Sequence, residues 1–401
     1  MPPIRSTILL LATGQGLLSI NGVTLIAVSG LAGAMLADNP AYATLPVTGY
    51  ALGAAMSTVP ASWIMQRMGR RFGFRLGSGL GLCGSLLCAL ALWIHQFWLL
   101  CAGCLFAGFY NAFGQQYRFA AADAASEEWK SRAVSYTLTG GILGGVLGPE
   151  LSKLTWNVLP VPFTASYLTL TLVALLSWMV MGQLHLPQAE SDEKKLTGRP
   201  LGQIIRQPAY LVAVIAAVSG SGIMNLLMTA TPLVMKGCQL PFQDAAFVLE
   251  WHVLGMFVPS FVTGTLILRF GVLPILILGA LVNLLCVTIA MAGVSLLHFW
   301  GASLLLGIGW NFLYIGGTTL LTTTYLPEEK AKAQGLNELL IFLSQIITSF
   351  ASGVIANQKG WQWLNAFAVP VILLTLSATI WLMIRSRKRA SGTQLPYRSK
   401  T

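Results

Sequence analysis

The sequence contains few charged residues for its length. Asp, Glu, Lys and Arg together make up 9% of the 401 residues, whereas a soluble globular domain contains about 25%. Apolar residues make up 55%, and they are gathered in long runs. This composition excludes a soluble globular protein. Runs of about 18 or more apolar residues can cross a bilayer as helices, so we expect a membrane protein.

Acidic residues are scarcer than basic ones, with 13 Asp and Glu against 24 Lys and Arg and a net charge of +11. If the N-terminus is cytoplasmic, the basic residues collect in the loops of the inner side. The exceptions are Lys153, Lys236 and Lys359 outside and Arg118 within a span. This asymmetry indicates a multi-pass protein of the bacterial inner membrane with both termini in the cytoplasm. It makes the lipid bilayer the expected partner and excludes nucleic acid.

Cysteines and catalytic motifs are also scarce. The six cysteines lie mostly within apolar runs, so no disulfide framework is expected. No nucleophile with its base, phosphate loop or catalytic metal motif is recognisable. We therefore expect neither an enzyme nor a bound cofactor.

Twelve apolar runs are predicted to be transmembrane helices, and we number them as spans 1 to 12. They lie at about 7–35, 41–64, 76–95, 97–122, 133–152, 163–184, 209–235, 242–268, 273–294, 297–320, 333–356 and 362–384. A stretch rich in charge, Pro and Gly between spans 6 and 7 predicts a cytoplasmic linker. The predicted fold is therefore an all-α membrane protein with two pseudo-symmetric six-helix halves. Its parts are a first bundle at 1–184, the linker at 185–207, a second bundle at 208–384 and a basic cytoplasmic tail at 385–401.

Polar side chains inside the spans are expected to serve function, because an intramembrane charge is costly unless it is paired or hydrated. On span 4, Asn111, Gln115 and Arg118 follow at i, i+4 and i+7, which places them on one helix face. Arg118 is either a functional residue or half of a structural ion pair with Asp123 or Glu150. The acidic candidates for the substrate cavity or for proton coupling are Asp123, Glu150, Glu250 and Glu338.

Short motifs recur about half a chain apart. Arg269-Phe270-Gly271 repeats Arg71-Phe72-Gly73, and Glu328 to Ala333 repeats Glu127 to Ala133. Such repeated motifs are typical of two halves related by duplication. Transporters that work by rocking of two halves have this plan, with the substrate site near the membrane midplane. The turn between spans 2 and 3 is a candidate gating loop, formed by Gln66, Arg67, Gly69, Arg70 and Arg71.

The layout of two six-helix halves, this basic turn and the Gly148-Pro149 motif of span 5 resemble the major facilitator superfamily over the whole chain. The resemblance implies a transporter that works by alternating access. Gln66 stands where an Asp is common in that family, so this turn departs from the usual gating contact.

Spans 7 and 8 carry a candidate set of soft metal ligands. Met224 and Met228 are four residues apart on span 7, and so are His252 and Met256 on span 8. Each pair therefore shares one helix face, and a rise of about 1.5 Å per residue places all four in one slab near the midplane. Thioethers and an imidazole suit Cu(I) better than hard cations such as Mg²⁺. The alternative is that these side chains fill gaps between helices.

With Cys238, these residues resemble the CcoA-type copper importers within the superfamily. The resemblance implies copper import, with Met224, Met228, His252 and Met256 as ligands and Cys238 as a thiol that receives the ion. It also implies that the copper serves assembly of a haem-copper cytochrome oxidase, with a cytoplasmic copper chaperone as a further partner. Copper is then the transported substrate and not a cofactor.

The same subgroup includes riboflavin transporters, so an organic solute is the alternative substrate. Side chains that would stack on a flat ring or hydrogen-bond its edge lie on spans 4 and 10. They are the aromatic Tyr110, Tyr117, Trp310 and Tyr314 and the polar Asn111, Gln115 and Asn311. The aromatic residues could equally serve ordinary helix packing. A drug or metabolite exporter is a third hypothesis, because the Gly-Pro motif of span 5 is common in such antiporters.

Overall fold

The computed structural model describes residues 4–125, 130–184, 198–326 and 329–392, and these residues form helices and short connections without a β-strand. A single 3-10 turn, Pro40–Tyr42, separates the first two helices. The helices are α1 (Ile4–Leu36), α2 (Leu45–Met68), α3 (Arg70–Trp93), α4 (Phe97–Gly114), α5 (Tyr117–Ala124), α6 (Lys130–Thr155), α7 (Thr164–Gly182), α8 (Leu201–Ile205), α9 (Pro208–Gly237), α10 (Phe242–Phe257), α11 (Ser260–Phe270), α12 (Val272–Ala292), α13 (Leu296–Thr322), α14 (Lys330–Gln358) and α15 (Trp361–Gly392).

Ten helical segments among the described residues are long and apolar enough to cross a membrane, with α10 and α11 counted as one. The all-α membrane fold is therefore confirmed, and so are ten of the twelve predicted spans. The other two spans correspond to α2 and α6, which are 24 and 26 residues long. We call the end of the bundle that carries α8 the linker end and the opposite one the far end.

Two of the predicted spans are broken helices. Span 4 divides at Gln115 and Gln116 into α4 and α5, and span 8 divides next to Pro259 into α10 and α11. Proline cannot donate a backbone hydrogen bond, so it frees carbonyl groups in the turn before it. Continuous hydropathy across the break in span 8 explains why the sequence predicted a single helix there.

The buried Asn311 of α13 holds the break in span 8 together. Its Nδ2 donates to the carbonyl oxygen of Met256 at 2.7 Å and to Ser260 Oγ at 2.6 Å. Its Oδ1 accepts a hydrogen bond from Thr263 Oγ1 at 2.7 Å. These bonds use the polar atoms of Asn311, so its expected role at the edge of a ligand ring is wrong.

Close helix packing in the first half depends on the glycines of span 5. A Cβ atom at Gly140 of α6 would lie 2.0 Å from the carbonyl oxygen of Ala12 on α1. No side chain fits there, so the two backbones touch, as small residues in membrane helices allow.

The two halves contain matching turns at the linker end. Gly69 joins α2 to α3 with φ +85°, and Gly271 joins α11 to α12 with φ +88°. The matching turns pair Gly69 with Gly271, whereas the repeated motif pairs Gly73 with Gly271. Arg71-Phe72-Gly73 lies in the first turn of α3, and Gly271 follows the end of α11. The alignment of the two Arg-Phe-Gly motifs is therefore wrong by a few residues, although the duplication of the turn stands.

The described end of the predicted linker is docked onto the second half. Arg199 pairs with Glu329 through two hydrogen bonds, Nε to Oε1 at 2.8 Å and Nη2 to Oε2 at 2.7 Å. The Glu329 side chain is 0% exposed. The hydrogen bonds from Arg199, followed by one from the backbone N–H of Leu326, lower the pKa of this carboxyl to about 2. Residues 185–197 lie outside the described residues.

Candidate functional site

His252, the central residue of the predicted copper site, is buried against α13. Its side chain is 2% exposed, and Nδ1 lies 2.9 Å from the carbonyl oxygen of Ser303. Since a carbonyl can only accept, Nδ1 carries the proton and Nε2 keeps its lone pair. Nε2 has no hydrogen-bond partner among the described residues. The imidazole is therefore a neutral ring with one free acceptor.

The helix that carries His252 is pressed closely onto α13. A Cβ atom at Gly307 of α13 would lie 2.3 Å from the carbonyl oxygen of His252. Glu250, two residues earlier, instead contacts Lys153 of α6 at 3.5 Å. Because the two side chains meet different helices, Glu250 lies outside any ligand shell of His252, as its angle around the helix predicts.

The methionines of the predicted quartet have different surroundings. Met228 is 3% exposed and belongs to the largest apolar core cluster, whereas Met224 and Met256 are half-buried. Among the described residues, no three His, Cys, Asp or Glu side chains group as metal ligands. A shared ligand shell of the quartet stays a prediction.

Cys238 lies at the far end of α9, where it caps the helix. It is half-buried and lines a cavity of about 430 Å³ together with Trp361 of the second half and Ala34 and Pro40 of the first. Its role as a thiol that receives copper stays a prediction.

Trp310 and Tyr314 form a stacked aromatic pair on α13. Their ring centroids are 4.7 Å apart and the ring planes differ by 13°, a geometry that the spacing of four residues makes available on one helix face. Both side chains are half-buried. The indole Nε1 of Trp310 has no hydrogen-bond partner among the described residues. The pair is thus a stacked aromatic surface, and the unpaired indole N–H is buried.

Arg118 connects this aromatic pair to the first half of the protein. It lies on α5, its side chain hydrogen-bonds to that of Tyr314, and its charge interacts with that of Glu338 on α14. Arg118 therefore interacts with Tyr314 and Glu338 across the two halves. Glu150, one of the two alternative ion-pair partners of Arg118, contacts Lys153 at 2.6 Å.

Two of the predicted stacking residues belong instead to the core of the first half. Tyr110 and Tyr117 are each 0% exposed. The hydroxyl of Tyr110 donates to Ser177 Oγ at 2.8 Å, and the ring of Tyr117 packs on Phe74 with centroids 4.7 Å apart. Neither ring can stack on a ligand here, so the packing interpretation of these residues is correct.

Asn111 and Gln115 remain accessible beside the break in span 4. Gln115 is exposed, Asn111 is half-buried, and Gln115 Nε2 donates to Asn111 Oδ1 at 3.2 Å. Amide groups of this kind can hydrogen-bond a polar solute. The side chain of Asp123, the next acidic candidate along the chain, lies outside the described residues.

The far end of the bundle is closed by contacts between the halves. Lys153 of α6 lies between Glu150 on its own helix and Glu250 of α10, at 2.6 and 3.5 Å. One turn away, the rings of Trp156 and Phe242 meet with centroids 5.6 Å apart. A second contact links α2 to α14, where Thr48 Oγ1 lies 3.1 Å from Ser349 Oγ. Sequence analysis missed Lys153 as a site residue, although it marked this lysine as an exception to the charge asymmetry.

The candidate gating loop lies at the linker end. The positive φ of Gly69 makes the turn, Arg67 stacks over Trp63 at 4.1 Å, and Arg71 donates to the carbonyl oxygen of Gly182 on α7. The described contacts of Arg67 and Arg71 thus lie within the first half. The side chain of Gln66 lies outside the described residues.

A family model described as the Major Facilitator Superfamily matches residues 8–250 and 239–399. The protein belongs to the major facilitator superfamily. This membership confirms the superfamily resemblance and assigns the chain to the transporters. The two halves, joined at the far end and bridged by Arg118 near the linker end, are the two repeats of a superfamily transporter.

Among superfamily relatives, the chain is 37% identical over 393 residues to the riboflavin transporter RfnT of Brucella anthropi, with 97% of this chain and 98% of the relative covered. Two solved structures share the fold. A D-xylose–proton symporter has a TM-score of 0.75 at 14% identity, with 93% of this chain and 97% of that chain covered. An inward-facing, occupied bacterial homologue of the human lysosomal transporter Spinster has a TM-score of 0.70 at 15% identity, with 96% and 98% covered. These relatives do not confirm the copper-importer subgroup.

Proposed function

We propose that this superfamily transporter carries riboflavin, or a closely similar flat-ring solute, by alternating access. The observation that carries the proposal is the stacked Trp310–Tyr314 pair, which is held in place from the other half by Arg118. The 37% identity to a riboflavin transporter over nearly the whole chain supports the same substrate class. Of the two substrates that the sequence suggests, the organic solute is therefore the stronger.

The aromatic pair suits a large flat ring system with polar edges. A ring laid on the exposed face of the stack gains apolar burial and offset stacking. The amides of Asn111 and Gln115 would bind the ring edge or a hydroxylated side chain. Apolar faces with few polar groups are the usual composition of a small-molecule site.

The position of the pair explains how binding could drive transport. The Arg118 side chain on one half hydrogen-bonds to that of Tyr314 on the other, so a solute that binds Tyr314 alters an interaction between the halves. A ligand shifts a conformational equilibrium only if its interactions differ between the two states. This contact supplies such a difference. Glu338, whose charge interacts with that of Arg118, is our choice for a proton-coupling residue.

The same proposal gives the orientation of the protein in the membrane. The basic residues collect at the linker end, which we assign to the cytoplasm of a bacterial inner membrane. The far end, closed in this structure by Lys153 and Glu250, then faces outward.

Copper transport is a second candidate, and one observation favours it. The neutral His252 ring has a buried Nε2 lone pair without a partner among the described residues, and neutral imidazole nitrogen is a common ligand of copper. Met224, Met228 and Met256, with Cys238 at the far end, would supply the sulfur ligands.

The experiment is uptake of radiolabelled riboflavin and of radiolabelled copper by cells that lack their own importers. We expect riboflavin uptake that depends on this chain and is lost in Trp310→Ala. The matched control is Trp300→Ala, because Trp300 lies on the same helix and packs against Trp251 at a centroid distance of 5.7 Å. Copper uptake that is lost in His252→Ala and Met224→Ala, with no riboflavin uptake, would replace the proposal by the second candidate.

A further inference from the structure

A long groove runs along the outer surface of the first half, between α3 and α7. It has a volume of about 750 Å³ and extends from Met68, the last residue of α2 at the linker end, along α3 to Cys83. The residues that define this α3–α7 groove for the following argument are Arg71, Phe72, Arg75, Leu76, Leu80 and Trp178. None of them lies at the aromatic site, and Arg71 also belongs to the candidate gating loop.

The length of the α3–α7 groove matches one leaflet of a bilayer. From Arg71 to Cys83, α3 rises roughly 18 Å at about 1.5 Å per residue. One leaflet comprises about 15 Å of hydrocarbon plus a headgroup layer of several Å. The basic residues lie in the first two turns of α3, at headgroup depth, and the apolar walls follow toward the midplane. The groove therefore changes from charged to apolar along the same axis as a phospholipid.

The basic end of the groove is built and oriented by its neighbours. The Arg75 guanidinium stacks on the Trp178 ring at 3.9 Å from the centroid, and its Nε has no hydrogen-bond partner among the described residues. Arg71 donates to the carbonyl oxygen of Gly182, which fixes its side chain beside Arg75. Guanidinium groups bind phosphate oxygens through paired hydrogen bonds, and aromatic stacking leaves the edge of the group free for them.

We propose that the α3–α7 groove is a binding site for one anionic phospholipid of the leaflet at the linker end. The headgroup phosphate would bind between Arg71 and Arg75, and an acyl chain would lie along Leu76, Leu80 and Trp178. The apolar walls are the reason for choosing a lipid, since a free anion would use only the basic end. The charge of the two arginines is the reason for choosing an anionic lipid over a zwitterionic one.

The first test measures lipid binding to the purified full-length protein in detergent, by native mass spectrometry. Phosphatidylglycerol is titrated against phosphatidylcholine for the parent chain and for Arg75→Gln. We expect retention of phosphatidylglycerol to fall about fivefold in Arg75→Gln. The matched control is Arg67→Gln, because Arg67 belongs to the same turn and also stacks on an aromatic ring, Trp63, but does not line the groove. Equal loss in both variants would overturn the proposal.

A second variant tests the apolar part of the groove without removing charge. A Cβ at Gly79 would make only an ordinary contact of 3.9 Å with Trp178, so Gly79→Leu should fold and fill the groove. We expect it to lose phosphatidylglycerol as Arg75→Gln does, whereas Gly264→Leu, at a glycine with nothing within 4 Å, should retain it. Retention in Gly79→Leu would contradict the proposal, as would full displacement of the lipid by inorganic phosphate. Equal affinity of the parent chain for the two lipids would also overturn it.

Discussion

The closure of the far end by Lys153 leads to a prediction about the conformational equilibrium. Lys153 contacts Glu250 across the halves and Glu150 within its own helix. Glu250→Gln removes only the contact between the halves, and Lys153 keeps Glu150 as a partner at 2.6 Å. The variant should therefore destabilise the state with a closed far end without leaving a charge unpaired.

The expected loss of free energy in the closed state follows from the Lys153–Glu250 distance and from the exposure of the two side chains. At 3.5 Å, the Coulomb attraction alone would be roughly 5 kcal/mol at an effective dielectric constant of about 20. Desolvation and side-chain ordering cancel most of this attraction, and measured pairs that keep contact with water contribute about 1 kcal/mol. Lys153 and Glu250 are each 19% exposed, so we adopt the smaller value. It corresponds to an increase of about fivefold in the open population.

Cys238 provides the assay, because it lines the cavity between the halves at the far end. A membrane-impermeant maleimide should modify Cys238 about fivefold faster in Glu250→Gln, as measured by mass spectrometry of the peptide. Glu150→Gln is the matched control: it breaks only the contact within α6, and its rate should stay within about twofold of the parent. Equal rates in the two variants would refute the role of Lys153 as a bridge between the halves.

Three further predictions concern the linker end. Arg118→Gln should abolish transport while the protein still inserts in the membrane. Adding Glu338→Gln should raise the abundance of the variant protein, because it removes a charge left unpaired, but should not restore uptake. Normal uptake in Arg118→Gln would reduce Arg118 to a structural residue. Glu329 has a folded-state pKa of about 2, below its ordinary 4.5, so it stabilises the fold above pH 4.5 and loses this effect as the pH falls toward 2. The midpoint of thermal unfolding should therefore depend less on pH in Glu329→Gln, and an unchanged profile would contradict this assignment. Gly69→Ala should lower the midpoint of thermal unfolding, since φ +85° costs a residue with a side chain about 1–3 kcal/mol. Gly335→Ala should not lower it, because Gly335 lies within α14 and has open space around it.

Much of the fold could be predicted from the sequence, because membrane helices are defined by local composition. A run of apolar residues long enough for the bilayer forms a helix whatever it packs against. The two broken helices show the limit of this reasoning. The break next to Pro259 is stabilised by Asn311, a side chain 52 positions away, and no local pattern reports that contact.

The candidate site was only partly predictable for a similar reason. Periodicity correctly places Trp310 and Tyr314 on one helix face, but it cannot say which helix that face meets. His252 shows the same limit, since its spacing from Met256 suggests a shared metal whereas Nδ1 is bonded to Ser303 of α13. The contact of Arg118 with Tyr314 joins residues from the two halves, and such contacts depend on how the repeats pack together.

The most direct test of the proposed function is riboflavin binding to the purified protein, followed by quenching of flavin fluorescence. A flavin stacked on Trp310 should be quenched saturably. Trp310→Ala should weaken binding by about 5- to 150-fold, the equivalent of ~1–3 kcal/mol for stacking of a flat heterocycle on an aromatic side chain, and Trp300→Ala should bind as the parent does. Absence of saturable quenching in the parent, or the same affinity in Trp310→Ala, would contradict the assignment of this aromatic pair as the riboflavin site.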